Sequence, residues 1–410
     1  WPQEGDHRAA ALAHRLKSVD IFSSPHAYLR RQLGGDGLFR NYPASLALHG
    51  KLFVDEADDR THLANDPDFT HVATLEESLQ VIRREFGNAV TRGAGLWYMD
   101  QQGQWFQDPG IMAEIAKLKR WGDLSMDMPR ESVAEVAVIS SLSDEFYLAG
   151  RDSGKNHVTY PLYDRQIGEF CRAGAPFDWY LVEDLGEGLV PPHKVYIFLD
   201  AFHLTPGQRA AVDRLKGGGA TLVWFYAPGH ITAEGLSLDA MAALTGITFE
   251  RRETGTLRVD LSPELFPRAP SAYGPDKQQS PVFLPSMEGA EVWGRFAGSD
   301  TPALVAKTRE SWRSVYSASP ELPAAVLRGL YRQAGVHVYC DTDDNLSANA
   351  GWVMLHTAAA GEKTLRLSRP ARVVDVVSGN TLGENLSEFT VTLPMGATAI
   401  FALDPPRDAG

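Results

Sequence analysis

The chain has 410 residues, a hydrophobic share of 44% and a formal net charge of −13. That length holds two or three domains with sizeable cores. The acidic balance, with no dense basic stripe, argues against nucleic acid as the main partner, because phosphate binding needs clustered Lys and Arg.

No apolar run approaches the roughly 20 residues of a membrane-spanning helix. Two cysteines, Cys171 and Cys340, argue against a disulfide framework, and no Cys or His spacing matches a structural zinc site. The chain opens at Trp1 with neither an initiator Met nor a signal-peptide pattern, so a removed upstream segment is expected.

Residues 7–16 carry a helical period through Ala9, Leu12 and Leu16. Val19 to Pro25 reads as a short strand, and Leu52-Phe53-Val54-Asp55-Glu56 as a second. Thr74 with Glu77 three positions on forms a capping box, followed by Leu75, Leu79, Ile82 and Phe86 at helical spacing. Ala94 to Asp100 is a third strand, and Asp108-Pro109 opens a helix carrying Ile111, Ile115 and Leu118. Strands alternating with helices imply parallel pairing over residues 1–124, and three strands are too few for a closed barrel.

Past Pro129, residues 133–345 read as a doubly wound α/β domain. The buried strands are Val136–Ile139, Val195–Leu199, Thr221–Tyr226 and Val336–Tyr339. The helices lie near 160–173, after Thr205-Pro206, and around Leu322–Ala334. Residues 346–410 have no helical period. Their short strands at 352–356, 363–367, 372–377, 389–393 and 398–403 suggest a small β-sandwich.

Glu56 is the leading chemical candidate. It ends an apolar strand and is followed by Ala57-Asp58-Asp59-Arg60-Thr61-His62, and in βα barrels the active site gathers at such strand ends. The plain alternative is a solvated loop opening a helix. Trp97 and Asp100 close the third strand beside Gln101-Gln102-Gly103-Gln104. There an aromatic face could take a sugar ring and a carboxylate its hydroxyls, the alternative for Trp97 being barrel core. His26 and Tyr28 follow the first strand where a nucleophile's partners would stand, although a lone His is more often structural. Cys171 lies within an amphipathic helix and not on a strand-to-helix elbow, which disfavours an amidotransferase reading.

On these residues the chain resembles glycoside hydrolase family 42, the β-galactosidases, and related clan members. His49-Gly50-Lys51-Leu52-Phe53-Val54-Asp55-Glu56-Ala57-Asp58-Asp59-Arg60-Thr61-His62 looks like their strand-seven region, Gly95-Leu96-Trp97-Tyr98-Met99-Asp100 like strand eight, and Val19 to Pro25 like strand six. The resemblance implies strands six to eight of a (β/α)8 TIM barrel over 1–124, an amidotransferase-like trimerisation domain over 133–345, and a β-sandwich over 346–410. It implies a retaining hydrolase with Glu56 as nucleophile and no cofactor or metal. The substrate would be an oligo- or polysaccharide, bound with help from His26, Tyr28, Arg60, His62, Trp97 and Asp100. It further implies a homotrimer and an acid/base glutamate from a missing N-terminal half of the barrel, which would carry strands one to five. The competing expectation is a non-catalytic carbohydrate-binding or oligomerisation module. An upstream strand ending in Asn-Glu distinguishes the two.

Overall fold

A computed structural model describes residues 14–65, 70–101, 103–149 and 156–406. The expected helix over 7–16 falls mostly outside that range, and His14 and Arg15 lie in a turn. The chain divides into two compact units, one mainly Glu135–Glu169 with Phe177–Val336, the other Ser18–Ala134 with Phe170–Pro176 and His337–Gly410.

The second unit begins with β1 (Ile21–Pro25), α1 (Pro43–Leu48), β2 (Leu52–Ala57), α2 (Leu75–Thr91), β3 (Gly95–Tyr98) and α3 (Pro109–Ser125). The three strands form one parallel sheet with β2 in the middle, and Pro25, Glu56 and Trp97 stand in one cross-strand row. Successive side chains of a strand point to opposite faces. Phe53, Asp55 and Ala57 are therefore buried, while Leu52, Val54 and Glu56 turn to the open face. Phe53 packs on Phe39, Leu46 and Ala89 beneath the sheet. The capping box of α2 forms as read: Thr74 Oγ1 accepts from the Glu77 N–H at 3.2 Å, and Glu77 Oε2 accepts from the Thr74 N–H at 3.1 Å. Asp108 caps α3, with Pro109 at its first position.

The first unit holds β4 (Val136–Ser140), α4 (Gln166–Arg172), whose C-terminal residues belong to the second unit, β5 (Phe177–Leu181), β6 (Val195–Phe198), α5 (Pro206–Gly217) and β7 (Thr221–Phe225). It continues with β8 (Val259–Leu261), β9 (Ala272–Tyr273), β10 (Glu291–Phe296), β11 (Pro302–Thr308), β12 (Arg313–Ser317) and α6 (Ala324–Gln333). Its nine-stranded sheet runs β9-β8-β10-β11-β12-β7-β6-β4-β5. The pairs β12-β7, β7-β6, β6-β4 and β4-β5 are parallel, and the others are antiparallel. Strands β4, β6 and β7 are buried along their whole length, as their continuous apolar runs require.

The expected strand Val336–Tyr339 does not form. Gly335 turns the chain out of α6 with φ 71°, and the Tyr339 N–H donates to the Gly174 carbonyl at 2.8 Å, so the segment is held as irregular backbone. The parallel neighbours of β7 are β6 and β12.

The tail forms β13 (Asn345–Ala348), β14 (Trp352–His356), β15 (Gly361–Asp375), β16 (Thr381–Leu393) and β17 (Thr398–Leu403). These make one antiparallel sheet in the order β13-β14-β17-β15-β16, not two facing sheets. The second layer that a sandwich would need is supplied by helices. Ile82, Phe86, Val90, Ile111, Leu118 and Trp121 from α2 and α3 share a core with Trp352, Met354, Ile400 and Ala402. The Trp352 ring meets Phe86 at 6.4 Å and Trp121 at 6.0 Å, both edge-on. Gly87 allows the approach, since a Cβ there would stand 2.3 Å from Met354 Cγ. A second core gathers Val353, Leu355, Leu365, Val373 and Phe401. Of the short runs read from the sequence, 352–356 and 398–403 are strands as read. Runs 363–367 and most of 372–377 are parts of the one long strand β15, and 389–393 is the end of β16, whose pairing with β15 shifts register between Arg366 and Ala371.

Because helices and tail share one core, Trp352→Ala is expected to cost about 3–5 kcal/mol. Hydrogen exchange should then show loss of protection in α2 and α3 together with the tail strands. Protection lost in the tail alone would separate the two.

Candidate functional site

The uncovered face of the β1-β2-β3 sheet carries large apolar side chains in contact with solvent: Ile21 is 58% exposed, Leu52 42% and Trp97 43%. Glu56 lies among them, half-buried at the end of the central strand, between Pro25 and Trp97 in the pairing. The Trp97 indole N–H lies 3.5 Å from Ser23 Oγ on β1. Tyr28 follows β1 in a single 3-10 turn and is also exposed. The Arg31 guanidinium lies 4.0 Å above its ring centroid and that of Arg40 5.2 Å away.

Beside Glu56, Arg31 pairs with the Asp58 carboxylate, and Gln101 Nε2 donates to Asp58 Oδ2 at 3.1 Å. Partial burial, then the charges of Asp58 and Asp55, raise the Glu56 carboxyl above its ordinary value against the pull of Arg31. Burial and the Asp58 charge likewise raise the Tyr28 hydroxyl, with a smaller contribution from Glu56.

Behind the same strands lies a buried charge cluster. His26 is wholly enclosed, with Nδ1 3.2 Å from Asp55 Oδ2, Nε2 3.1 Å from Asp59 Oδ1 and Nε2 3.6 Å from Glu85 Oε1. Arg84 Nε donates to Glu85 Oε1 at 2.9 Å, and its other nitrogens hold the carbonyls of Arg31, Gln32 and Gly35. Arg31 Nη2 donates to the His26 carbonyl at 2.9 Å, which links the cluster to the open-face site. Burial raises the Glu85 carboxyl to about 7, while the nearby charges of His26, Arg31 and Arg84 overcome burial and hold Asp59 at about 2.

Glu56 and Trp97 thus share one open face, with Tyr28 exposed in the turn after β1, and the other expected residues make the following contacts. His26 points away from that face into the cluster. The Arg60 guanidinium lies 5.6 Å from the Trp105 ring. His62 Nδ1 lies 3.0 Å from Ser78 Oγ on α2, and its Nε2 3.5 Å from Asp108. Asp100 uses Oδ1 to accept the N–H groups of Gln104 and Trp105 at 3.0 and 3.2 Å, closing the turn after β3. Sequence reasoning missed Arg31, Arg84 and Glu85. The one available signal was the Arg83-Arg84-Glu85 run inside a helix otherwise patterned for burial, and it carries no address for its partners.

In the other unit, the strand-end residue with left-handed backbone is Tyr226, at φ 57° directly after β7. Its hydroxyl donates to the Pro281 carbonyl at 2.7 Å and burial pushes it up to about 12, so it offers no nucleophile. Cys171 is buried in α4 and its thiol is raised to about 12 by burial.

Comparison with solved structures places this fold among β-galactosidases. The chain matches the enzyme from Bacillus circulans sp. alkalophilus at 17% identity and TM-score 0.60, covering 93% of this chain and 63% of that one. It matches a GH42 β-galactosidase from G. stearothermophilus at 15% identity and TM-score 0.62 over 96% of this chain and 60% of that one. The cold-adapted enzyme from Rahnella sp. R3 gives 15% identity and TM-score 0.66 over 94% and 60%. The chain therefore has a GH42-like fold and spans about three-fifths of the length of these proteins. No protein-family model and no curated protein matches it.

Removing Arg31 would leave Asp58 buried beside Asp55 and Glu56 without its cation. Arg31→Ala is expected to destabilise the protein by about 3–5 kcal/mol, read by urea denaturation. A loss below about 1 kcal/mol would mean that water replaces the guanidinium at no cost.

Proposed function

We propose that Glu56 is the nucleophile of a retaining, β-galactosidase-like glycoside hydrolase. The observation that carries this is its position at the C-terminal end of the central parallel strand, on an uncovered face beside an exposed indole. In this reading β1, β2 and β3 are strands six to eight of a (β/α)8 barrel. Further strands cover Ile21, Leu52 and Trp97 and bring a second carboxyl to about 5–5.5 Å from Glu56. That second group protonates the leaving oxygen as Glu56 attacks the anomeric carbon. It then takes a proton from the water that releases the sugar from Glu56.

Trp97 offers its ring to a sugar face, and the Glu135–Val336 unit serves assembly of a homotrimer. His26 is enclosed and acts from behind the strand, while Arg60, His62 and Asp100, which make other contacts, are proposed as outer sugar ligands. Asp58 and Tyr28, each held by Arg31, set the field around Glu56.

The test is hydrolysis of p-nitrophenyl β-D-galactopyranoside by the intact polypeptide. Glu56→Gln should lower kcat by about three orders of magnitude or more with the fold unchanged. Trp97→Ala should raise KM roughly two- to tenfold. Glu56 works ionised, and its carboxyl is raised, so the acid limb of the wild-type profile should lie above that of an ordinary Glu and vanish with Glu56→Gln. Near wild-type turnover in Glu56→Gln would remove Glu56 from the reaction. Sedimentation equilibrium should give three times the chain mass, and a monomer at micromolar concentration would contradict the assembly role.

A further inference from the structure

Ionised groups are rarely wholly enclosed unless each has a partner. Behind β2 the carboxyl groups of Asp55, Asp59 and Glu85 surround His26, with the guanidinium of Arg84 against Glu85 and that of Arg31 reaching from the His26 carbonyl to Asp58 at the strand end. Asp55 Oδ1, Asp59 Oδ2 and Glu85 Oε2 are buried and accept no hydrogen bond from the described residues.

Both ring nitrogens of His26 face carboxylate oxygens, at 3.2 and 3.1 Å. A carboxylate only accepts, and a neutral imidazole has one N–H. With both carboxyls ionised, one of the two contacts would then set lone pair against lone pair; burial raises the Asp55 carboxyl, and a proton kept there with a neutral ring is the competing arrangement. Two ring protons satisfy both and also supply a positive charge that the two arginines leave wanting.

We propose that His26 is a positioning residue. Its imidazolium ties the end of β1 to Asp55 on β2 and to Asp59 beyond it, and so fixes the turn that presents Glu56. That turn is tight: the Asp58 N–H donates to the Glu56 carbonyl at 3.1 Å. Arg31 adds a second tie, from the His26 carbonyl to Asp58. The effect on catalysis rests on the nucleophile role given to Glu56 above, whereas the tie itself does not.

Other groups facing the imidazole bear on its proton. Burial opposes the charge, and Glu85 on α2, Asp59 after β2 and Asp55 on β2 outweigh it, so His26 titrates well above an ordinary histidine. Arg31 and Arg84 lie against the same carboxylates, and Tyr98 from β3 is raised by burial and then by their charges. A base raised on folding contributes stability that is complete below its unfolded value and lost as pH rises through its folded one. Glu85, an acid raised to about 7, acts in the same direction. The Glu85 contribution is therefore lost by about pH 7, and the His26 tie weakens only above the ordinary histidine range. A divalent cation is the competing occupant, since His26, Asp55 and Glu85 present ligand atoms within 4.8 Å of one another. It would have to replace a ring proton.

Nitrogen-15 NMR of the histidine-labelled protein tests the proton directly. The expected result is an imidazolium signal from His26 at about pH 8, where an ordinary histidine is neutral. A neutral ring at pH 7, or one equivalent of divalent metal surviving chelator dialysis, overturns the proposal.

Positioning is read separately, without any need for activity, from the carbon-13 titration of the Glu56 carboxyl. His26→Gln should shift it. In the hydrolysis assay the same variant should lower kcat about tenfold or more with KM within about twofold. If His26→Gln does not fold, Asp59→Asn keeps one contact and should move the His26 and Glu56 titrations together. A Glu56 titration unmoved by the variant that folds sinks the positioning role. Loss of hydrolysis in the wild type, with the imidazolium and the coupled titrations intact, would fault the nucleophile assignment alone.

Discussion

Asp55 and Glu56 are neighbours in the chain and lie on opposite faces of β2, because a strand alternates its side chains. The rest of the site follows from that alternation. One carboxylate enters the protein and must be matched by charge, while the other remains on a face open to solvent. The cost of holding Asp55 dry is met by His26, and the groups His26 requires, Asp59 and Glu85, in turn require Arg84 and Arg31. Arg31 then reaches around the strand end to Asp58 and Tyr28 on the side of Glu56. A chemically exposed residue is thus backed by a rigid ionic support, an arrangement in which strand ends serve well as reactive sites.

The same helix that delivers Glu85 also anchors the tail. Helix α2 turns Glu85 to the cluster and Phe86 and Val90 to Trp352 and Met354, with Gly87 letting the backbone approach. Three parallel strands alone would be a poor folding unit. The antiparallel tail supplies the layer against which their helices pack. The segments either side of the Glu135–Val336 unit are therefore one body in three dimensions although they are far apart in the chain.

Local signals were the legible ones. Thr74 and Glu77 announced the start of α2, Asp108-Pro109 that of α3, and Leu52-Phe53-Val54 the central strand, because caps and apolar runs depend on near neighbours. Tyr28, Trp97 and Glu56 could be named because each follows or ends a strand. The role of His26 could not, since its partners lie 29, 33 and 59 positions away in the chain. Nor could the two long tail strands, whose internal shift in register breaks the apolar alternation into apparent short pieces. Val336–Tyr339 misled for the opposite reason: its residues favour a strand, but Gly335 and the Gly174 carbonyl decide the backbone.

As the proposed nucleophile, Glu56 would be the group that joins covalently to sugar. A 2-deoxy-2-fluoro-β-galactosyl fluoride would trap such an intermediate, and peptide mass spectrometry would locate it. One sugar per chain is expected, on the peptide containing Leu52–Ala57 and on Glu56 within it, with no label in Glu56→Gln. A label on any other carboxylate, or turnover of the natural glycoside without any trapped chain, would contradict it.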